Sequence, residues 1–481
     1  MERNQNQLHV KESVLAEISE VKALLSTRTL PASQPFGQQH ISDSPEDARN
    51  LSESFQRLAP LLDNLKKEAD TTVSNQRLLE QLHFAHLHTR RDNIAKAHRK
   101  TFEWILEPPE NLEHTRVKFV EWLRCGDGTF WIQGKAGSGK STLMKFITQH
   151  PPTTQYLREW AGPNKLVVAS HYFWAAGTEL QKSQEGLLRS LLFELLRACP
   201  ELIAPIRDKL LAEGRLVTTA GKVILSRVAL LCIFEELMTH SMSTRFCFFI
   251  DGLDEYTGVP EDLLGLVDKL SRDSNIKICL SSRPHAEFVR KFEKDKESLL
   301  KLEDLTKEDI REYVKSRLNE DERYRELVMV NSEYETITEQ VVKRAQGVFL
   351  WVSLVVRSLL EGAQHYDSLN DMQKRLDTLP TDLEDLFKHM LQSISPMYLP
   401  QAAWTFQIAL AARGPLGLRI YEFAERIIRQ PRYALDLQAD SFSDLDELNR
   451  SLEQLRCRLD ARCKGLLEVV PTPPDEAYLC A

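Results

Sequence analysis

Gly134-Lys135-Ala136-Gly137-Ser138-Gly139-Lys140-Ser141 is the stretch of sequence that decides the fold, because it fits the pattern G-x-x-x-x-G-K-[ST]. The apolar run of residues 130–133 precedes it and predicts a strand, whereas the residues from Thr142 onward predict a helix. A strand, a glycine-rich loop and a helix in this order are typical of a P-loop, whose backbone N–H groups and helix N-terminus face phosphate oxygens. The sequence therefore predicts a nucleotide-binding loop, and the alternative is a glycine-rich turn without a ligand.

The side chains of this loop have separate predicted roles. Lys140 is expected to reach the β- and γ-phosphates and is also a predicted catalytic residue, and the Ser141 hydroxyl is expected to bind Mg²⁺. The residues predicted to contact the nucleotide are Gly134, Lys135, Ala136, Gly137, Ser138, Gly139, Lys140, Ser141 and Thr142.

Acidic residues follow a second apolar run, at residues 246–250, and resemble a Walker B element. Asp251 stands at the carboxyl end of this predicted strand, where an α/β sheet binds its ligand, and is expected to bind Mg²⁺ through water. Asp254 and Glu255 follow within one turn, so we predict that one of them polarises the attacking water. A solvated turn is the alternative when the acids are considered without the P-loop.

Arg283 follows a third apolar run, at residues 276–280. An arginine just past a strand of this sheet is placed to reach the γ-phosphate and to report its presence. A structural salt bridge is the alternative role for Arg283.

Short apolar runs alternate with helical stretches after residue 127. The predicted strands are residues 129–133, 166–173, 246–250 and 276–280. Such strands predict an α/β fold with a parallel sheet that is buried on both faces. Residues 1–100 predict a helical region with a linker near 29–49, and Pro60 is expected to kink or divide one of its helices.

Composition and charge exclude several classes of protein. The 481 residues suggest about three domains, and 42% hydrophobic with 27% charged residues is an ordinary globular composition. The net charge of −8 argues against non-specific nucleic-acid binding.

Eight cysteines without a C-x-x-C pair argue against a zinc site and a disulfide framework, and favour a reduced, cytoplasmic protein. No membrane span is predicted, and His83, His86 and His88 are interpreted as helix-surface residues rather than metal ligands.

Several segments together resemble the NACHT group of STAND-type P-loop NTPases, and in particular its fungal branch. Besides the P-loop and residues 251–255, they are residues 101–106, 177–183, 281–284 and 347–352. The resemblance implies a NACHT domain at residues 101–300, a helical domain at 301–395 and a winged-helix-like or helical segment at 396–481.

The resemblance also implies a molecular switch. Such a switch rests with ADP bound, forms a homo-oligomer with ATP bound and resets by slow hydrolysis; in fungi it acts in non-self recognition and regulated cell death. Protein partners of unknown identity are expected to bind the N-terminal helices, for which an effector role and autoinhibitory packing are the two alternatives. Two departures stand out. Phe349 replaces the proline that packs on adenine in related proteins, so an adenine contact is not expected there. The sequence ends at Ala481 without the repeat array that usually senses a ligand, and the alternatives are a sensor that is absent, one supplied by another chain, or one lost through truncation or a gene-model error.

A GTPase and an interaction scaffold are the two alternatives to an ATP-dependent switch. Residues 306–309 imitate the guanine-reading motif of GTPases, but a capping box, with Thr306 before a helix and Asp309 three residues later, explains them better. ATP is therefore favoured over GTP. An interaction scaffold that binds nucleotide with little or no hydrolysis remains the second hypothesis.

Overall fold

The computed structural model describes residues 45–98, 101–106, 114–219, 222–240, 243–294, 297–412, 416–436, 445–463, 466–470 and 478–480. These residues form two compact units. One contains residues 45–81 together with Cys199–Leu225, and the other contains Leu82–Ala198 together with the chain from Ser226 onward.

A parallel sheet lies at the centre of the second unit. In the described part of the chain the strands are β1 (Gly128–Gln133), β2 (Lys165–Tyr172), β3 (Val217–Thr219), β4 (Lys222–Ile224), β5 (Thr244–Asp251), β6 (Ile276–Ser282), β7 (Leu299–Lys301), β8 (Leu416–Gly417), β9 (Glu468–Val470) and β10 (Tyr478–Cys480). Five of them form the sheet, in the order β2-β5-β6-β1-β7, and every neighbouring pair is parallel. The predicted α/β class and its four strands are confirmed, and β7 is an additional edge strand of three residues.

The strands are apolar because the sheet is covered on both faces. Every residue of β6 is buried, and Phe246, Phe248 and Phe249 of β5 are at most 1% exposed. Gln133 of β1 pairs with Ser282 of β6 in the register of the sheet, so these two strands end side by side. Loops that follow neighbouring parallel strands therefore meet at one edge of the sheet.

Helices make up most of the remaining regular structure. In the described ranges they are α1 (Pro45–Leu82), α2 (Thr89–Asn93), α3 (His114–Arg124), α4 (Lys140–Gln149), α5 (Pro151–Ala161), α6 (Gln184–Ala198), α7 (Ile203–Ala212), α8 (Arg227–His240), α9 (Pro260–Ser271), α10 (Ala286–Phe292), α11 (Lys307–Glu320), α12 (Glu322–Val330), α13 (Thr336–Ala345), α14 (Phe349–Gln364), α15 (Leu369–Thr378), α16 (Leu383–Gln392), α17 (Leu399–Ala411), α18 (Leu418–Arg429), α19 (Tyr433–Asp436) and α20 (Leu445–Cys463). Phe119 of α3, Phe130 of β1 and Leu143 of α4 belong to one buried cluster. This packing fixes the direction in which α4 leaves the sheet.

Helices α11 to α16 share a second buried cluster. Trp351 and Val355 of α14 are fully buried in it, together with Ile310 of α11, Val341 of α13 and Met372 of α15. These positions lie three or four residues apart along each helix face, as the helical period requires. The domain boundaries at residues 300 and 395 remain predictions.

The predicted capping box at the start of α11 is wrong. Thr306 precedes the helix, but its side chain makes no capping hydrogen bond. The Asp309 carboxylate instead accepts hydrogen bonds from the Phe102 backbone N–H at 3.3 Å and from the Trp104 indole N–H at 2.6 Å. Asp309 thus joins the helical region to the segment that precedes the P-loop.

Of the two effects predicted for Pro60, a kink or a division of the helix, the division is wrong. Helix α1 continues through Pro60 over 38 residues. Proline lacks the N–H for one backbone bond, and the remaining turns of a long helix tolerate this loss. Of the predicted linker, residues 29–44 lie outside the described residues, whereas 45–49 belong to α1.

The C-terminal part combines helices with a small antiparallel sheet. Strands β8, β9 and β10 pair in the order β8-β10-β9. Leu418 and Tyr421 of α18 pack with Leu455 and Leu459 of α20 in a third buried cluster. None of the helices described here is long and apolar enough to cross a membrane.

Candidate functional site

The P-loop connects the end of β1 to the start of α4. Gly137 and Gly139 have positive φ angles of 69° and 93°, which side chains other than glycine rarely adopt. These two turns bend the loop so that successive N–H groups can face one point, as in an anion-binding nest. Ser138 is fully buried, and its Oγ has no hydrogen-bond partner among the described residues. A buried hydroxyl of this kind fits a loop that holds a polar ligand.

Lys140 begins α4 and bends back over the loop. Its Nζ donates hydrogen bonds to the carbonyl oxygens of Gly134 at 2.7 Å and Lys135 at 2.8 Å. Burial lowers the pKa of Lys140, while the charges of Asp254 and Asp251 act in the opposite direction. The structure therefore brings the predicted phosphate-binding lysine and the predicted acids together.

Asp251 ends β5 beneath the P-loop and is 1% exposed. Its Oδ1 accepts a hydrogen bond from the Ser281 hydroxyl, and its Oδ2 has no hydrogen-bond partner in the described ranges. Burial raises the pKa of Asp251, whereas the Ser281 and Ser141 hydroxyls and the charges of Arg90 and Lys140 lower it. A cation beside Oδ2 would stabilise the ionised carboxylate.

Asp254 and Arg283 contact each other. The Arg283 backbone N–H donates to Asp254 Oδ1 at 2.9 Å, and the Arg283 Nε lies 3.1 Å from Oδ2. The Asp254 side chain is 6% exposed and the Arg283 side chain 49%. Arg283 thus forms a salt bridge with Asp254, which is the alternative role that the sequence left open for it. The half-exposed guanidinium lies at the edge of the site.

Glu255 faces a different set of groups. Its Oε2 accepts a hydrogen bond from the Ala175 N–H at 2.9 Å, and its Oε1 lies 4.0 Å from Nη2 of Arg90. Burial raises the pKa of Glu255, while the Ala175 N–H and the charge of Arg90 act against this rise. Carboxylates that accept protons in enzymes have the same two features: burial raises their pKa, and nearby donors or cations offset part of that rise.

Comparisons with known proteins agree with this geometry. Residues 100–283 match the family model described as nephrocystin 3, N-terminal, and residues 393–479 match a domain of unknown function (DUF7791). Residues 100–283, which contain the P-loop, are therefore similar to a P-loop NTPase domain of the NACHT type and are called the NACHT-like domain. No curated protein matches the chain significantly.

The solved structures that match this chain are only distantly similar to it. The ORC1 protein of Aeropyrum pernix in complex with DNA is 14% identical over 78% of this chain and 91% of that one, with a TM-score of 0.29. Drosophila ORC bound to DNA is 13% identical over 75% and 90%, with a TM-score of 0.29. RuvB of Thermotoga maritima is 14% identical over 72% and 82%, with a TM-score of 0.25.

The helical region contacts the P-loop of the NACHT-like domain through one backbone–backbone and one side chain–backbone hydrogen bond. The Leu350 N–H donates to the Gly137 carbonyl at 3.0 Å, and Lys135 Nζ donates to the Gln346 carbonyl at 3.5 Å. A Cβ atom at Gly137 would lie 2.8 Å from the Leu350 Cβ, so only glycine fits there. These contacts could not be predicted from the sequence, because both hydrogen bonds are accepted by backbone carbonyl oxygens, which carry no residue-specific pattern.

Two aromatic rings lie beside Gly139 of the NACHT-like domain. Phe349, which replaces the usual proline, has its ring centroid 5.9 Å from that of Phe102. A Cβ atom at Gly139 would lie 3.3 Å from Phe102 and 3.5 Å from Phe349. The Phe102 backbone is itself left-handed, with φ 68°, and its side chain is 2% exposed. Phe349 therefore packs on the loop and on Phe102.

Proposed function

We propose that the chain is an ATP-binding and slowly ATP-hydrolysing switch of the NACHT type. The observation that supports this most is the buried Asp251 carboxylate, whose Oδ2 has no partner among the described residues and which lies beneath a P-loop. Mg²⁺ prefers oxygen ligands, and the Ser141 hydroxyl with the Asp251 carboxylate supplies oxygen atoms only. The residues present therefore fit Mg²⁺ and a nucleoside triphosphate.

The proposed roles follow from the positions of the side chains. Ser141 and Asp251 would hold Mg²⁺, which when bound neutralises charge on the phosphate oxygens. Lys140 Nζ, which donates to two loop carbonyls, is placed to donate to the β- and γ-phosphates instead. Glu255 would take the proton of the attacking water. The left-handed turns at Gly137 and Gly139 bring backbone N–H groups to the phosphates.

A nucleotide-bound scaffold with little turnover is the second candidate function. The ion pair between Asp254 and Arg283 favours it, because two predicted catalytic side chains contact each other there. Hydrolysis that uses Arg283 would first have to break this pair. The same pair therefore supports slow turnover in the switch that we propose.

The biological setting of the proposed switch rests on the resemblance to the NACHT group. We place it in the cytoplasm, in keeping with the free thiols of Cys125, Cys232, Cys247 and Cys279. Assembly into a homo-oligomer in the ATP state is part of the same proposal, as is a role in fungal non-self recognition or regulated cell death.

Asp251→Asn tests the proposed Mg²⁺ site. We expect Mg²⁺ to raise the ATP affinity of the wild type at least about tenfold over EDTA, and that of the variant less than about twofold. Asparagine keeps the shape of the side chain but loses the charge that attracts the cation. Titrations of a fluorescent ATP analogue with and without EDTA measure both ratios.

The control is Asp268→Asn on α9, where the exposed Asp268 pairs with Lys291 at 2.5 Å. It should behave as the wild type. An equal Mg²⁺ effect in Asp251→Asn and in the wild type would contradict the proposed metal site.

A further inference from the structure

The loop after β2 contacts both Arg90 and Glu255. The Ala175 N–H donates to Glu255 Oε2 at 2.9 Å. The preceding residue, Trp174, has the Arg90 guanidinium 5.8 Å above the centre of its ring. Arg90 therefore lies over the loop that holds Glu255, with Nη2 4.0 Å from Oε1. That separation is too long for a hydrogen bond, so Arg90 acts on Glu255 through its charge.

Arg90 belongs to the short helix α2, which is attached to the P-loop helix. Lys145 of α4 is 7% exposed, and its Nζ donates to the carbonyl oxygens of Asp92 at 3.1 Å and Ile94 at 2.6 Å. Ile94 is buried in the same cluster as β1 and α4. The end of α2 is thus fixed relative to the helix that begins at the phosphate-binding loop.

The start of this segment is fixed by a second contact. Gln181 is 3% exposed, and its Nε2 donates to the His86 carbonyl at 3.2 Å. Its Oε1 accepts from the Thr178 N–H at 2.9 Å, and its carbonyl accepts from the Trp174 N–H at 3.0 Å. Residues 177–183, which carry part of the family resemblance, therefore hold α2 and the Trp174 loop together.

We propose that Arg90 is a positioning residue for Glu255, which it keeps ionised and directed at the water that attacks the nucleotide. The proposal rests on the hydrolytic function proposed above. Among the described residues, the charges that act most on Glu255 are those of Arg90 from α2, Asp251 at the end of β5 and Asp254 in the turn that follows. Arg90 is the single cation of this set, and without it the two neighbouring carboxylates disfavour the ionised Glu255.

The test measures phosphate release by the full chain, with KM for ATP and Kd for ADP. We expect Arg90→Ala to lower kcat about tenfold or more, with KM and Kd changed less than about twofold. Arg90→Lys keeps the charge and should restore kcat to within about threefold of the wild type. The neighbouring Arg91→Ala is the matched control, because Arg91 pairs with Asp92 at 3.2 Å, and it should leave kcat unchanged.

A double-mutant cycle separates positioning from a structural effect. If Arg90 acts through Glu255, Arg90→Ala lowers kcat no further in a Glu255→Gln background. A full additional tenfold loss in that background would overturn the proposal. So would an equal fall in ADP affinity and kcat, because Arg90 would then act on binding or on folding.

Failure of the proposed hydrolytic function is recognised without any Arg90 variant. A wild type that releases no more phosphate than Lys140→Ala removes the proposed function and the role of Arg90 with it. An active wild type with an equally active Arg90→Ala overturns only the role of Arg90.

Discussion

Lys140→Ala is expected to lower the affinity for ADP and ATP at least about 100-fold, which leaves no binding detectable at micromolar nucleotide. Lys140 is the first residue of α4, and its Nζ lies against the loop carbonyls of Gly134 and Lys135, where phosphate oxygens would be held. Alanine removes the charge and leaves the glycine turns intact. Isothermal titration with ADP measures the loss.

Lys388→Ala is the matched control for this prediction. Lys388 is an exposed lysine of α16 that pairs with Glu384 at 2.8 Å, so its loss should leave ADP affinity unchanged. Wild-type affinity in Lys140→Ala would show that residues 134–141 do not bind nucleotide in the proposed manner.

Glu255→Gln is expected to slow phosphate release at least about 100-fold and to change ATP affinity less than about threefold. Glutamine keeps the hydrogen bond from the Ala175 N–H, which lies 2.9 Å from Oε2, but it accepts no proton from water. The variant should therefore retain ATP and accumulate in the ATP-bound assembly. Phosphate release and size-exclusion chromatography with ATP measure the two effects.

Asp254→Asn separates the two acids that the sequence left as alternatives. It weakens the contact with Arg283, whose Nε lies 3.1 Å from Oδ2, and it leaves Glu255 in place. We expect ATP binding to persist in both variants and the larger loss of turnover in Glu255→Gln. Wild-type phosphate release and size distribution in both variants would contradict the role of this acidic turn.

Local patterns explain why the sheet and the P-loop could be predicted from the sequence. Strands β1, β5 and β6 each contain a run of apolar residues because the sheet is buried on both faces, and the loop after β1 has its glycines at fixed spacing. Strand β7 escaped prediction because three residues carry too little periodicity to separate a strand from a helix.

Contacts between distant segments could not be predicted. Asp309 reads as part of a capping box, yet its carboxylate accepts the indole N–H of Trp104, 205 positions away. Arg90 lies in a five-residue helix with no motif of its own, and the fold alone brings it to Glu255. Nothing in the pattern of either segment indicates its partner.

The most direct test is to identify the nucleotide that the purified chain carries. The protein is prepared without added nucleotide and denatured, and the released compounds are separated by chromatography, with Lys140→Ala as control. The proposed switch predicts about one ADP per wild-type chain and none from the variant. An empty wild type, a guanine nucleotide, or equal amounts of ADP from both proteins would contradict it.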